Sequence, residues 1–270
     1  MKDITVILNC FKRPHTLESQ FKAIENQTIQ PKNVLIWQNK GDYENFKPFN
    51  ESVASNCATS ISNSNFGVWA RFAYALNART EYVCVFDDDT IPGPEWLENC
   101  YETIQKYNGL LGTVGVTFND LQYNSYDSAG WRNPNEEVKE VDIVGHSWFF
   151  KREWLGSFWK ESEIPLSYLC GEDIHFSYAI QKYLKLKTYV PPHPKLNNKK
   201  WGSNPELAYK YGVDNAAVSV RYHQTGLFAN NLLHYKNKDL NLLKTYENFI
   251  GFWYKTGVFK NKTYFRKKRT

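Results

Sequence analysis

The feature that most constrains this chain is a run of five apolar, β-prone residues, Tyr82-Val83-Cys84-Val85-Phe86, leading directly into three aspartates, Asp87-Asp88-Asp89. Ile91-Pro92-Gly93-Pro94 follows almost at once. An apolar run of that length bounded by Pro and Gly reads as a buried strand that stops at the Pro. The carboxylates therefore fall at its C-terminal end, where open α/β sheets hold their ligands. Their like charges repel one another. A divalent cation relieves that repulsion, and carboxylate oxygens are the hard ligands that Mg²⁺ and Mn²⁺ take. The competing reading of these residues is an acidic turn that does no more than end a strand.

The chain around this stretch alternates strands and helices. Residues 4–8 form a first strand, ending at Asn9-Cys10-Phe11-Lys12-Arg13-Pro14. Beyond the Pro, Leu17, Phe21 and Ile24 fall at helical spacing, with Thr16 as the expected cap. Residues 33–38 are the next strand, which completes a β-α-β unit and implies parallel pairing. A polar loop precedes a short strand at 58–61. Asn63 to Gly67 then opens an Ala-rich helix that delivers the chain to the acidic strand. Residues 94–107 form a helix with Glu95 in its first turn and Trp96, Leu97 and Ile104 on its packing face. Strands are expected at 110–118, 138–150 and 187–190, with an irregular aromatic segment at 119–135. Gly171-Glu172-Asp173 opens a helix running to about residue 183, and its Ile174, Tyr178 and Ile180 suggest burial.

Composition narrows the function classes. A chain of 270 residues with 42% hydrophobic and 16% aromatic content can bury a sizeable core and is not a disordered polymer. The formal charge of +5 is more than supplied by Lys255, Lys260, Lys262, Arg266, Lys267, Lys268 and Arg269. The body is thus slightly acidic, which argues against a nucleic-acid binder with a basic face. Five cysteines without a CxxC pair read as reduced thiols, and no signal peptide or membrane span is visible, so a cytoplasmic protein is expected. Residues 249–254 are nearly all aromatic or apolar and precede the basic end. That pairing suits peripheral contact with an anionic membrane, or alternatively aromatics packed on the domain beside a solvated tail.

The order of these motifs resembles the family 2 glycosyltransferases of the GT-A fold. The matching pieces are Val6-Ile7-Leu8-Asn9-Cys10-Phe11-Lys12-Arg13, Asn65-x-Gly67 with Ala70-Arg71, Phe86-Asp87-Asp88-Asp89, Pro94-x-Trp96-Leu97, the 145–151 strand and Gly171-Glu172-Asp173. The resemblance implies an α/β, Rossmann-like, mainly parallel mixed sheet flanked by helices. It implies a catalytic domain over 1–235, followed by an aromatic and basic extension over 236–270. The donor implied is a nucleotide-diphosphate sugar, its diphosphate on Mn²⁺ or Mg²⁺; the acceptor is a glycan, a lipid-linked sugar or a protein.

By the same resemblance, Asp87 serves the nucleoside and the metal, Asp89 the metal, and Asp88 lies between them. Asn9, Phe11, Arg13, Asn65 and Gly67 line the base and ribose pocket. Arg71 reaches a phosphate or forms a solvated face, and His146 meets donor sugar or acceptor. Asp173 is the general base of an inverting displacement, with Glu172 beside it; by themselves, two acids at a helix start are also a capping pattern. His223 is the expected third metal ligand, with His234 behind it, while His175 and His193 remain structural or surface candidates. Trp131, Trp148 and Trp201 could stack on a sugar or belong to the core.

Three rivals frame this reading. A retaining, exostosin-like transferase would use the same metal site and differ in product configuration. A nucleotidyltransferase would need a Gly-rich phosphate loop after the first strand, and residues 9–16 contain no Gly. A non-catalytic nucleotide- or sugar-binding module would bind donor without consuming it.

Overall fold

The computed structural model describes residues 2–11, 13–40, 46, 48–49, 56–118, 126–131, 133–160, 172–204 and 206–207. Gly171, His223, His234, the boundary expected at residue 235 and the aromatic and basic tail lie outside these residues.

Strand β1 (Lys2–Cys10) is buried from Ile4 onward. Helix α1 (Pro14–Glu25) follows, then β2 (Pro31–Asn39) and β3 (Cys57–Ser62). These three strands run parallel, and β4 (Tyr82–Phe86) pairs parallel to the other side of β1. The apolar run thus becomes a strand with every residue buried, flanked on both edges. Helix α2 (Ala70–Tyr74) enters β4 through a 3₁₀ turn, and α3 (Trp96–Tyr107) leaves it. Leu17, Phe21 and Ile24 of α1 and Trp96, Leu97 and Ile104 of α3 all enter the core, as their spacing requires.

The second half of the sheet is mixed. Strand β5 (Leu110–Phe118) pairs antiparallel with β6 (Tyr126–Gly130) and with β8 (Ile143–Lys151). Strand β8 also lies antiparallel against β4. Strand β7 (Lys139–Val141) pairs with β9 (Thr188–Val190) at the far edge. The order β3-β2-β1-β4-β8-β5-β9-β7, with β6 against β5, reverses its winding direction between β1 and β4. That reversal is the topological switch point, where the crevice beyond the strand ends is open to a ligand.

Three expectations need correction. The segment expected to be irregular contains β6, because Tyr126 to Gly130 finds backbone partners along β5 despite its weak β composition. The single strand expected over 138–150 is two, divided at the buried Asp142. Thr16 does not cap α1. Pro14 supplies the fixed first turn, and the Thr16 hydroxyl instead lies 2.7 Å from the Asp88 carbonyl oxygen and 2.8 Å from that of Arg13. After the short helix α4 (Leu155–Phe158), helix α5 (Glu172–Ala179) continues as a π-helical turn through Leu184, with Tyr178 and Ile180 buried as expected. No helix among the described residues is long and apolar enough to cross a membrane.

Candidate functional site

Strands β1 and β4 end side by side, so their following loops meet. The Asn9 amide crosses to the Phe86 carbonyl at 2.5 Å and locks the two ends in register. Below the acidic loop, the fully buried Gln20 of α1 donates to the Asp87 carbonyl at 2.5 Å and the Thr90 carbonyl at 2.7 Å. The loop backbone is therefore fixed from beneath, which leaves the three carboxylates to face the crevice. The sequence offers Thr16 only as a helix cap and does not single out Gln20. Their one signal is spacing, since residues four apart share a helix face.

Two arginines answer the three aspartates. Arg13 lies 2.8 Å from Asp88 and 3.5 Å from Asp89, and the Phe11 N–H points at Asp88 at 3.3 Å. Arg71 lies 2.5 Å from Asp87 Oδ1 and 2.5 Å from Glu172 Oε1. Positive charge still falls short of negative charge. Burial, then the repulsion of Asp87 and Asp88, pushes the Asp89 carboxyl up to about 7. Burial likewise raises Asp88 against the pull of Arg13. Burial and crowding by like charges hold Asp89 back from ionising, and a divalent cation would offset both.

A third candidate donor comes from β8. Opposite Gly112 and Val114 of β5 stand Trp148 and Gly145, so β8 carries one residue more than its partner. This is a β-bulge, and His146 within it has φ +64°. The left-handed backbone turns the imidazole toward the acids, with Nδ1 3.7 Å from Asp87 Oδ2. Asp87, Asp89 and His146 each offer one ligand atom, all within 4.8 Å of one another. Two carboxylates and an imidazole fit Mn²⁺, which accepts both donor types. His146 was expected to meet donor sugar or acceptor; the bulge sets its imidazole beside the acids. A glycine just before it inside a strand is the local signal for such a bulge.

Glu172 and Asp173 start α5, which packs on β8 and is pinned by the Val144 N–H to the Ser177 hydroxyl at 3.1 Å. A Cβ placed on Gly145 would lie 3.7 Å from the Asp173 Cβ and 3.8 Å from its Oδ2, so Asp173 borders the strand that presents His146. Glu172 is buried. Burial, with repulsion from Asp173 and Asp87, pushes its carboxyl up to about 8, opposed by Arg71.

The remaining candidates sort by distance from this centre. Asn65 accepts from the Gly67 N–H at 2.9 Å, and Gly67 takes φ +72°, so the pair shapes a turn at the end of β2, two strands from β4. Arg71 is only 2% exposed, which excludes the solvated-face reading. Trp131, Trp148 and Trp201 are buried. His175 is tied to the Phe158 carbonyl at 2.7 Å, and His193 lies between the Pro191 carbonyl, Thr113 and the Gly202 N–H. None of the described cysteines Cys10, Cys57, Cys84 and Cys100 is in a disulfide.

Comparison with known proteins agrees with this geometry. Residues 5–159 match the profile described as glycosyl transferase family 2. No curated protein matches significantly. Among solved structures, the chain is similar to the crystal structure of GalNAc-T7 with UDP, GalNAc and Mn²⁺, at 12% identity and a TM-score of 0.55. The match covers 91% of this chain and 54% of that one, so the chain spans about half the length of the protein it resembles. At that identity the likeness is one of fold.

Proposed function

The chain belongs to glycosyl transferase family 2, and on that premise we propose that it moves a sugar from a nucleotide-diphosphate donor to an acceptor hydroxyl, with inversion at the anomeric carbon. The observation that carries this reading is the convergence, at the switch point, of the Asp87, Asp89 and His146 donor set with the Glu172–Asp173 pair. Mn²⁺ in a similar fold with UDP and GalNAc supports the choice of ion and of donor class. The cation, when bound, supplies charge neutralisation for the departing diphosphate.

This chain's own residues do the rest. Arg13 stands beside Asp88 and Asp89 at the mouth of the crevice, where a phosphate oxygen would compete for its guanidinium. Asn9, Phe11 and the Asn65–Gly67 turn line the ends of β1 and β2, where base and ribose would rest. Asp173 accepts the acceptor hydroxyl's proton as that oxygen bonds to the anomeric carbon. The bond from the anomeric carbon to the diphosphate oxygen breaks, and its electron pair leaves with the diphosphate. The acceptor is a glycan, lipid-linked sugar or protein, in a polysaccharide-type pathway located in the cytoplasm.

Asp173→Asn tests the assignment. It keeps size and much of the hydrogen bonding but cannot take the proton. Transfer should fall by about 10²–10⁴ while donor and Mn²⁺ still raise the melting temperature. The wild-type product should carry the anomeric configuration opposite to the donor's. Normal transfer by Asp173→Asn, or retained configuration, would overturn direct displacement.

A further inference from the structure

Arg71 occupies a place in this site that charge balance alone does not require. It is buried in α2, and its guanidinium carbon lies 4.7 Å from the centroid of the Trp148 ring. One arm, Nη1, takes Asp87 Oδ1, and the other, Nη2, takes Glu172 Oε1, both at 2.5 Å. The two acids come from opposite sides of the crevice, since Asp87 ends β4 and Glu172 begins α5. The planar fork of a guanidinium can hold two carboxylates in one fixed geometry, whereas an ammonium is a point donor on a flexible stem.

The contacts close into a ring. Asp87 is held by Arg71, Arg71 holds Glu172, and Glu172 is joined by the chain to Asp173. Asp173 abuts Gly145, Gly145 is joined to His146, and the His146 carbonyl accepts the Asp87 N–H at 2.9 Å. We infer that Arg71 is a positioning residue that makes the cation side and the base side of the site one mechanical unit. By engaging Oδ1 it leaves Oδ2 of Asp87, the oxygen that faces His146, for the cation. By engaging Glu172 it sets where α5 begins, and therefore where Asp173 stands. Occupancy on one side then steadies the other, although no atom of Glu172 belongs to the donor set.

The inference rests on the proposed metal site, and its test separates the two. Mn²⁺ alone is titrated into the full chain by electron paramagnetic resonance, for wild type, Arg71→Lys, Glu172→Ala and Glu172→Gln, each checked for a melting temperature close to wild type. Arg71→Lys should weaken Mn²⁺ binding on the order of tenfold or more, the usual consequence of losing a ligand's supporting partner. Glu172→Ala should weaken it similarly, whereas Glu172→Gln, which keeps an oxygen for Nη2, should stay within about threefold of wild type. At saturating Mn²⁺ and donor, Arg71→Lys should still lower kcat with donor KM unchanged, because Asp173 is displaced as well. Mn²⁺ affinity unchanged in Arg71→Lys and Glu172→Ala would overturn the coupling and leave Arg71 a packing residue. If the wild type binds Mn²⁺ with that same pattern yet transfers no sugar, the glycosyltransferase assignment fails and the coupling stands.

Discussion

The bulge at His146 should separate backbone strain from metal binding at one position. A non-glycine residue in the left-handed region carries about 1–2 kcal/mol of strain. Glycine removes that strain but returns about 0.5–1 kcal/mol through its greater freedom in the unfolded chain and in a strand. Relative to His146→Ala, which loses the same ring, His146→Gly should therefore stabilise the cation-free fold by a net amount on the order of 0.5–1 kcal/mol. For a domain of this size that is a rise in Tm of about 1–4 °C. His146→Ala keeps the left-handed backbone and loses the ring that meets Trp131 edge-on at 6.1 Å, so it should melt below wild type.

With Mn²⁺ both variants should lose further ground to wild type. A ligand at a hundred times its Kd stabilises the native state by about 2.7 kcal/mol, and a tenfold loss of affinity reduces this to about 1.4 kcal/mol. Loss of the imidazole should cut the Mn²⁺-induced rise in Tm by about half in both variants, and reduce the preference for Mn²⁺ over Mg²⁺. Scanning calorimetry in EDTA and in excess Mn²⁺ measures both effects on the same samples. A glycine variant that melts below the alanine variant in EDTA would refute the strain argument. An undiminished Mn²⁺ increment would remove His146 from the donor set.

Two other outcomes follow from the same geometry. Chelation with EDTA should abolish donor hydrolysis, added Mn²⁺ should restore it, and Asp89→Ala should behave as the chelated enzyme; full turnover after exhaustive dialysis against EDTA would refute a cation at the acidic loop. Burial lowers His193 from 6.5 to about 4, so its stabilising contribution is complete above pH 6.5 and is lost as pH falls from 6.5 toward 4, by about 3 kcal/mol in total. Denaturation at stepped pH should show that slope, and His193→Asn should flatten it; an identical slope in the variant would assign the loss to other groups.

The elements that depend on local pattern were legible in the sequence. Strand β4 and strand β5 begin and end where their apolar runs and flanking breakers put them, and the packing faces of α1 and α3 follow from spacing. The acidic loop was legible because three adjacent carboxylates at a strand end have few structural uses. Partnerships set by tertiary packing were not. Nothing near His146 says that β8 runs antiparallel beside β4, so its place beside Asp87 could not be read; His223, the ligand expected from the resemblance, lies outside the described residues. From sequence Arg71 reads as a phosphate contact or a solvated helical arginine, and its link between Asp87 and Glu172 emerges only when α2, β4 and α5 are assembled around it. Strand β6 is invisible locally because its stabilisation comes from pairing with β5 rather than from its own residues.

The acidic loop is fastened to β8 by main-chain atoms. The single carbonyl of His146 accepts both the Asp87 N–H at 2.9 Å and the Thr90 hydroxyl at 2.8 Å. Any amino acid supplies that carbonyl, so the scaffold tolerates a change of side chain at position 146 that the chemistry would register. Position 146 is thus an adjustable fitting on a fixed mount. Asparagine, which accepts a left-handed backbone and offers an oxygen in place of nitrogen, would leave the loop anchored while biasing the donor set toward harder ions. A lineage or an engineer could retune the enzyme's cation preference there by a single substitution, without rebuilding the crevice.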